Sequence, residues 1–266
     1  MNVFWREIRA HWKSLLGWSV GMLFMVVAGM GKFEGYGSTG NSGITQLIDR
    51  FPKAMLAVFG MTGLNLTTLI GYFGVLYLYI ILMVAIHAGM LGAGIISKEE
   101  QDKTSEFLYV KPVSRNRVLT GKLLAGLVII LVLLGVTVIS SVWIVGFYNK
   151  NYDLNSRVFI LMAGVFMFQL LSFAFGAFFA GIFKNPKLPA TAVTSVIMAS
   201  YLVSVMVDLN GKFDFLRNLT PFQYFGAPKI LAEGRLDPVF LATALGVSAI
   251  LIVLTYIFYN KRDISV

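Results

Sequence analysis

Three Gly-Lys pairs, Gly31-Lys32, Gly121-Lys122 and Gly211-Lys212, are the first places to look for phosphate chemistry. A nucleotide-binding loop of the form G-x-x-x-x-G-K-[ST] needs glycine backbone to approach the phosphates and a hydroxyl to hold magnesium. Val26, Asn116 and Met206 stand where the first glycine belongs, and Phe33, Leu123 and Phe213 where the hydroxyl belongs. The chain is therefore not expected to hydrolyse a nucleotide. Cysteine is absent, which removes thiolate ligands and cysteine nucleophiles. Only His11 and His87 remain as imidazoles. His11 lies in a basic stretch and is expected to be solvated. His87 lies in an apolar run and has no carboxylate nearby to make a metal site or an acid–base pair. No catalytic residue and no metal ligand set is expected.

The one dense group of ionisable residues runs from Ser97 to Leu119. Lys98, Glu99, Glu100, Asp102, Lys103 and Glu106 come first, Lys111 immediately precedes Pro112, and Arg115 and Arg117 follow it. Glu99 and Lys103 are an attractive i, i+4 pair, so a helix carried through this stretch would put Glu99, Lys103 and Glu106 on adjoining faces. Pro112 stops it. Ser114 can then cap a second short helix holding Arg115, Arg117 and Val118. Helix, break, helix makes a knob suited to docking another protein, and a solvated charged hairpin is the plainer alternative.

Composition says where that knob must sit. Of 266 residues 57% are hydrophobic and 13% charged, against about 45–50% and 25% in soluble domains. Six apolar blocks reach the roughly 20 residues needed to cross about 30 Å of hydrocarbon. They span residues 14–31, 66–96, 123–147, 158–183, 188–209 and 239–259. No alternating polar face suggests a barrel, so an all-α integral membrane domain over residues 1–266 is expected. The second block is too long for a straight crossing and should project into water. Ahead of the first, Phe4, Trp5, Ile8 and Trp12 recur at helical spacing, with Arg6, Glu7, Arg9 and Lys13 on the other face. That pattern suits an interfacial helix over residues 1–13. The 18-residue block after it lacks a clear cleavage site and reads as a retained anchor.

Thirteen of the 22 Lys and Arg residues fall at one end of the spans and nine, at about half the density, at the other. The richer end holds both termini and the 98–119 stretch, which are expected in the cytoplasm of a cell-membrane protein. The net charge of +9 reads as anchoring and attraction to membrane lipid, not as a nucleic-acid surface. On the opposite side, Ile44, Leu47, Ile48, Phe51, Met55, Leu56 and Phe59 suggest an amphipathic helix kinked at Pro52. An aromatic stretch there, Pro221, Phe222, Tyr224 and Phe225, reads as an interface anchor or an outer gate. Within the spans, His87 and Gln169 need partners in hydrocarbon; they line a path or, more simply, bond between helices. Gly17, Gly21, Gly89, Gly92 and Gly94 permit close helix approach.

At the charged stretch the sequence resembles permease subunits of type-2 ABC exporters whose ATPase is a separate polypeptide. The residues that carry it are Lys98-Glu99-Glu100, Lys103-Thr104-Ser105-Glu106-Phe107-Leu108, Lys111-Pro112-Val113-Ser114-Arg115 and Gly121-Lys122-Leu123-Leu124-Ala125. Leu219-Thr220-Pro221-Phe222-Gln223-Tyr224-Phe225 resembles the family's motif before the sixth span. The resemblance implies six spans, an N-terminal interfacial helix and a coupling helix between spans two and three. It implies partners too: two copies of an ATPase carrying ATP and magnesium, and a second permease copy or paralogue. Glu99, Glu100, Lys103 and Glu106 would then touch the ATPase, Lys111, Arg115 and Arg117 would pair with its acidic residues, and Pro112 and Ser114 would set the shape. Two alternatives remain open. An ATP-independent secondary transporter should show midplane charges and broken helices, whereas the only acidic residue inside a span is Asp208. An ABC complex that does mechanical work without moving cargo would share every feature named.

Overall fold

A computed structural model describes residues 3–33, 50–102, 114–148 and 153–262. All regular structure among them is helical, and six helices are long and apolar enough to cross a membrane. The long helices are α1 (Val3–Gly31), α3 (Leu69–Gln101), α4 (Arg115–Tyr148), α5 (Asp153–Ile182), α6 (Leu188–Leu209) and α9 (Pro238–Lys261). Shorter pieces sit between them: α2 (Lys53–Val58), a 3-10 segment (Gly211–Leu219), α7 (Pro221–Tyr224) and α8 (Ala227–Glu233). Helices are the form in which an apolar run satisfies its own backbone without water. Their starts carry local signals. The Thr68 side chain accepts from the Gly71 N–H, and Asp237 accepts from Val239 ahead of Pro238.

Burial ranks the helices. Of the most apolar stretch of each, 56% is buried in α3 and 61% in α5, against 17% in α1 and 22% in α9, so α3 and α5 form the centre. They touch through glycine. A Cβ placed on Gly176 would lie 2.0 Å from the Gly89 carbonyl oxygen, and one on Gly92 would lie 2.3 Å from that of Phe173. Backbone here meets backbone, which only glycine allows. Gly17 and Gly94 face open space, whereas Gly21 meets Met83 and Gly89 meets Val193.

Three expectations change. Val3–Gly31 is one continuous helix, so no separate interfacial helix precedes the first span. Its foot is also divided differently: Phe4 and Ile8 pack against the core, Trp5 and Trp12 are exposed, and Glu7 is buried. His11 is not solvated, since its side chain is only 17% exposed and its Nδ1 donates to the Glu7 carbonyl oxygen at 3.0 Å. Likewise Arg115 does not begin a separate short helix. It begins α4, one unbroken helix of 34 residues, with the Ser114 Oγ accepting from the Arg117 N–H at 3.4 Å. Of the helix expected at Ile44 to Phe59, only α2 is described, and Ile44, Leu47 and Ile48 lie outside the described residues.

Candidate functional site

The start of α1, the end of α3, the start of α4, the end of α5 and the end of α9 converge at one end of the bundle, here called the basic end. Glu99 and Glu100 are neighbours on α3, about 100° apart around its axis, so they address different helices. Glu99 accepts from Arg6 of α1 at 2.5 Å and from the Nζ of Lys122 of α4. Lys122 is fully buried and its Nζ also donates to the Ile95 carbonyl oxygen at 2.5 Å. Arg6 reaches in addition to Glu7 at 2.6 Å. Two carboxylates thus face two cations, a neutral group that can be taken out of water.

Glu100 accepts from Arg262, just beyond α9. The same guanidinium donates to the carbonyl oxygens of Ala180 (2.7 Å) and Phe183 (2.5 Å), at the end of α5. Burial draws Arg262 below its ordinary pKa, although a guanidinium stays charged throughout the physiological range. Arg115 donates to the Arg262 carbonyl oxygen at 3.0 Å, and Gln101 to that of Pro186 at 2.6 Å. The last turn of α3 is therefore tied to α1, α4, α5, α9 and the α5–α6 link, and residues 103–113 leave directly from this clamp.

Glu99 and Glu100, expected as contacts to a partner, are ion-paired within the chain. Both point inward, because α1, α4 and the residue after α9 bring Arg6, Lys122 and Arg262 to that side of α3, while Gln101 and Asp102 stay exposed. Arg115 also turns inward, while Arg117 is exposed. Lys103, Glu106, Lys111 and Pro112 lie outside the described residues. Arg6, Lys122 and Arg262 are the members of this clamp that the sequence did not single out. A signal for Lys122 existed: it opens the apolar run of the third span with Val118 and Gly126 four residues away, so any carboxylate for it had to come from another helix.

Mid-bundle, His87 and Gln169 are both buried. The His87 ring lies 5.1 Å from that of Trp18. Its Nδ1 and both polar atoms of the Gln169 amide find no hydrogen-bond partner among the described residues, so the expected interhelical bonds are not formed.

At the far end, Phe222, Tyr224 and Phe225 are buried, not spread at an interface. The reason is geometric: α7 and α8 fold back into the bundle, where Phe222 meets Phe168 (4.7 Å between centroids) and Tyr224 stacks on Phe240 (4.2 Å). Pro221 opens α7, and its neighbour Thr220 donates to the Ser200 carbonyl oxygen at 2.8 Å. Burial pushes the Tyr224 phenol pKa up. Beneath this plug is a cavity of about 240 Å³ lined by Tyr77, Tyr201, Asp208, Gln223 and Lys229. Gln223 donates to Asp208 at 2.7 Å.

Lys229 bonds Asp237 at 3.0 Å and clips α8 to the start of α9. That bond, with the Val239 N–H, holds the Asp237 carboxyl below the usual aspartate range. A carboxyl with a depressed folded pKa contributes stability above its unfolded value, about 3.9, and loses it as pH falls through the lower folded value. Asp237→Asn is therefore expected to lower the thermal midpoint at neutral pH. The gap to the parent should close in acid below the aspartate range, which melting curves against pH would show.

Among known families, the model described as ABC-2 family transporter protein matches residues 1–264. None of the curated proteins compared with the chain matches it.

Proposed function

Because the chain belongs to the ABC-2 family of transporter proteins, we propose that it is the transmembrane subunit of an exporter powered by a separate ATPase. It is a multi-pass membrane protein with six candidate spans, and subunits of this family are typically not catalytic themselves. In this reading the basic end faces the cytoplasm, as the Lys and Arg distribution favours. Two copies, or one copy and a paralogue, enclose the path. Two ATPase subunits, which hold ATP and magnesium, dock on residues 103–113.

The observation that carries this reading is the clamp. A push from a partner must reach the spans without being absorbed by a loose joint. Here the segment that would receive the push springs from an α3 end tied to its neighbours by ion pairs and hydrogen bonds, those of Lys122 and Arg262 buried. Lys103, Glu106 and Lys111 are the partner contacts, Pro112 sets the break, and Ser114 restarts the helix. Glu99, Glu100 and Arg115 act through others, by aiming that segment. Closure of the two ATPases would tilt α3, and α5 would follow because the two helices touch backbone to backbone. Movement at the far end would shift Phe222 and Phe225, which seal the bundle under α7, consistent with an outer gate.

Co-purification with a candidate ABC ATPase tests the proposal. Glu106→Lys combined with Lys111→Glu should abolish co-purification and the ATP-driven transport of the reconstituted pair, while the thermal midpoint of the permease alone stays unchanged. Undiminished co-purification and transport in that variant would overturn the docking site.

A further inference from the structure

An apolar groove of about 250 Å³ lies between α4, α5 and α9 close to the basic end. Leu123, Leu124, Leu127, Phe173 and Ile252 line it, and Leu124 is 50% exposed, so the groove opens away from the core. Its polar boundary is ordered. Thr120 donates to the Asn116 carbonyl oxygen at 2.8 Å, which leaves Tyr256 to donate to Thr120 across 2.7 Å. One turn further out, the Asn260 amide donates to the Asn116 side chain at 2.6 Å. Arg117 comes next. It is exposed, and it precedes Thr120 by three residues and Leu124 by seven, which puts all three on one face of α4.

Leu127 to Arg117 is ten residues, about 15 Å along a helix. That is half of the roughly 30 Å hydrocarbon thickness, the depth of a single leaflet. The charge is one-sided as well. Residues 115–126 and 252–262 contain Arg115, Arg117, Lys122, Lys261 and Arg262 but no acidic residue. Lys122 and Arg262 are taken up by Glu99 and Glu100, and the Arg115 guanidinium is turned to the Arg262 carbonyl oxygen.

We propose that this groove is a binding site for an anionic glycerophospholipid of the leaflet at the basic end. One acyl chain lies along Leu124 and Leu127, and the phosphodiester meets Arg117 and the Asn116–Asn260 amide pair. A zwitterionic lipid fills the groove equally well but sets its own cation beside Arg117, so the head group decides the preference. Arg117 is thereby assigned to lipid and not to the ATPase, and the assignment stands independently of the ATPase reading.

Native mass spectrometry of the full-length protein, titrated with phosphatidylglycerol or phosphatidylcholine of identical dioleoyl chains, tests it without any ATPase. The parent should favour the anionic lipid by roughly fivefold, the scale set by one cation near a membrane surface. Arg117→Gln should erase that preference. Leu124→Trp, at a half-exposed position where the fold is not at stake, should reduce occupancy by both lipids. Arg9→Gln, an exposed cation on α1 away from the groove, should keep the preference. Equal binding of the two lipids by the parent overturns the proposal, as does an equal loss in the Arg9 and Arg117 variants, which would mark attraction to the whole basic end.

Discussion

Replacing Glu99 with Gln is expected to destabilise the protein by about 3–5 kcal/mol, the cost of leaving a buried charge without its counter-charge. Lys122 is fully buried, and without the Glu99 carboxylate its ammonium keeps only neutral acceptors, the Ile95 carbonyl oxygen and the new amide oxygen, and no counter-charge. Arg6 loses less, because Glu7 remains at 2.6 Å and the Arg6 side chain is 32% exposed. The pair is not a large net source of stability. Removing both members, as Glu99→Gln with Lys122→Met, should recover most of the loss, since desolvation offsets much of what a buried ion pair gains. Thermal midpoints of the four proteins of the cycle in one detergent measure the coupling. Additive effects, or a cost below about 1 kcal/mol for Glu99→Gln alone, would show that the buried pair does not act as a unit. In the proposed exporter the double variant should be stable yet poorly coupled, because apolar contact cannot fix the direction in which residues 103–113 leave α3.

Gly176→Ala is expected to be nearly as damaging, by about 3 kcal/mol or more, through a different cause. The added methyl would lie 2.0 Å from the Gly89 carbonyl oxygen and 2.9 Å from the Ala93 nitrogen. Backbone cannot rotate aside as a side chain can, so α3 and α5 must separate along the seam that forms the centre of the bundle. Gly94→Ala is the matched control. Its methyl meets nothing within 4 Å, and its stability should change by no more than about 1 kcal/mol, in the direction helix propensity favours. If the two alanine variants melt together, the seam is looser than its geometry implies.

The contrast between Gly94 and Gly176 shows where sequence reading stops. Both are glycines in apolar helical runs, and nothing local separates them. The number of long helices was legible because hydropathy is a sum over some twenty consecutive residues. Leu188–Leu209 could be bounded from the sequence because Lys187 and Asn210 flank it closely. Ends whose apolar character grades into charge were harder. α1 reaches back to Val3 and α4 to Arg115 while carrying the buried Glu7 and Lys122, whose counter-charges come from Arg6 and Glu99.

The site divides in the same way. Sequence alone determined that the chain carries six helical runs of membrane-crossing length and no G-x-x-x-x-G-K-[ST] motif, with its ionisable groups concentrated after the second crossing. Those properties depend on residue type and short spacing. Only the tertiary structure decided what the charges do. The partners of Glu99 lie 93 and 23 residues away, and that of Glu100 lies 162 residues away. No local pattern encodes such pairings, which exist because glycine lets α3 and α5 close up and the feet of α1, α4 and α9 then meet at the end of α3. Likewise Phe222 and Tyr224 look like an interfacial belt when read along the chain. They become a plug only because the segment after Asn210 turns back into the bundle, where burial of aromatic surface outweighs exposure at the membrane boundary.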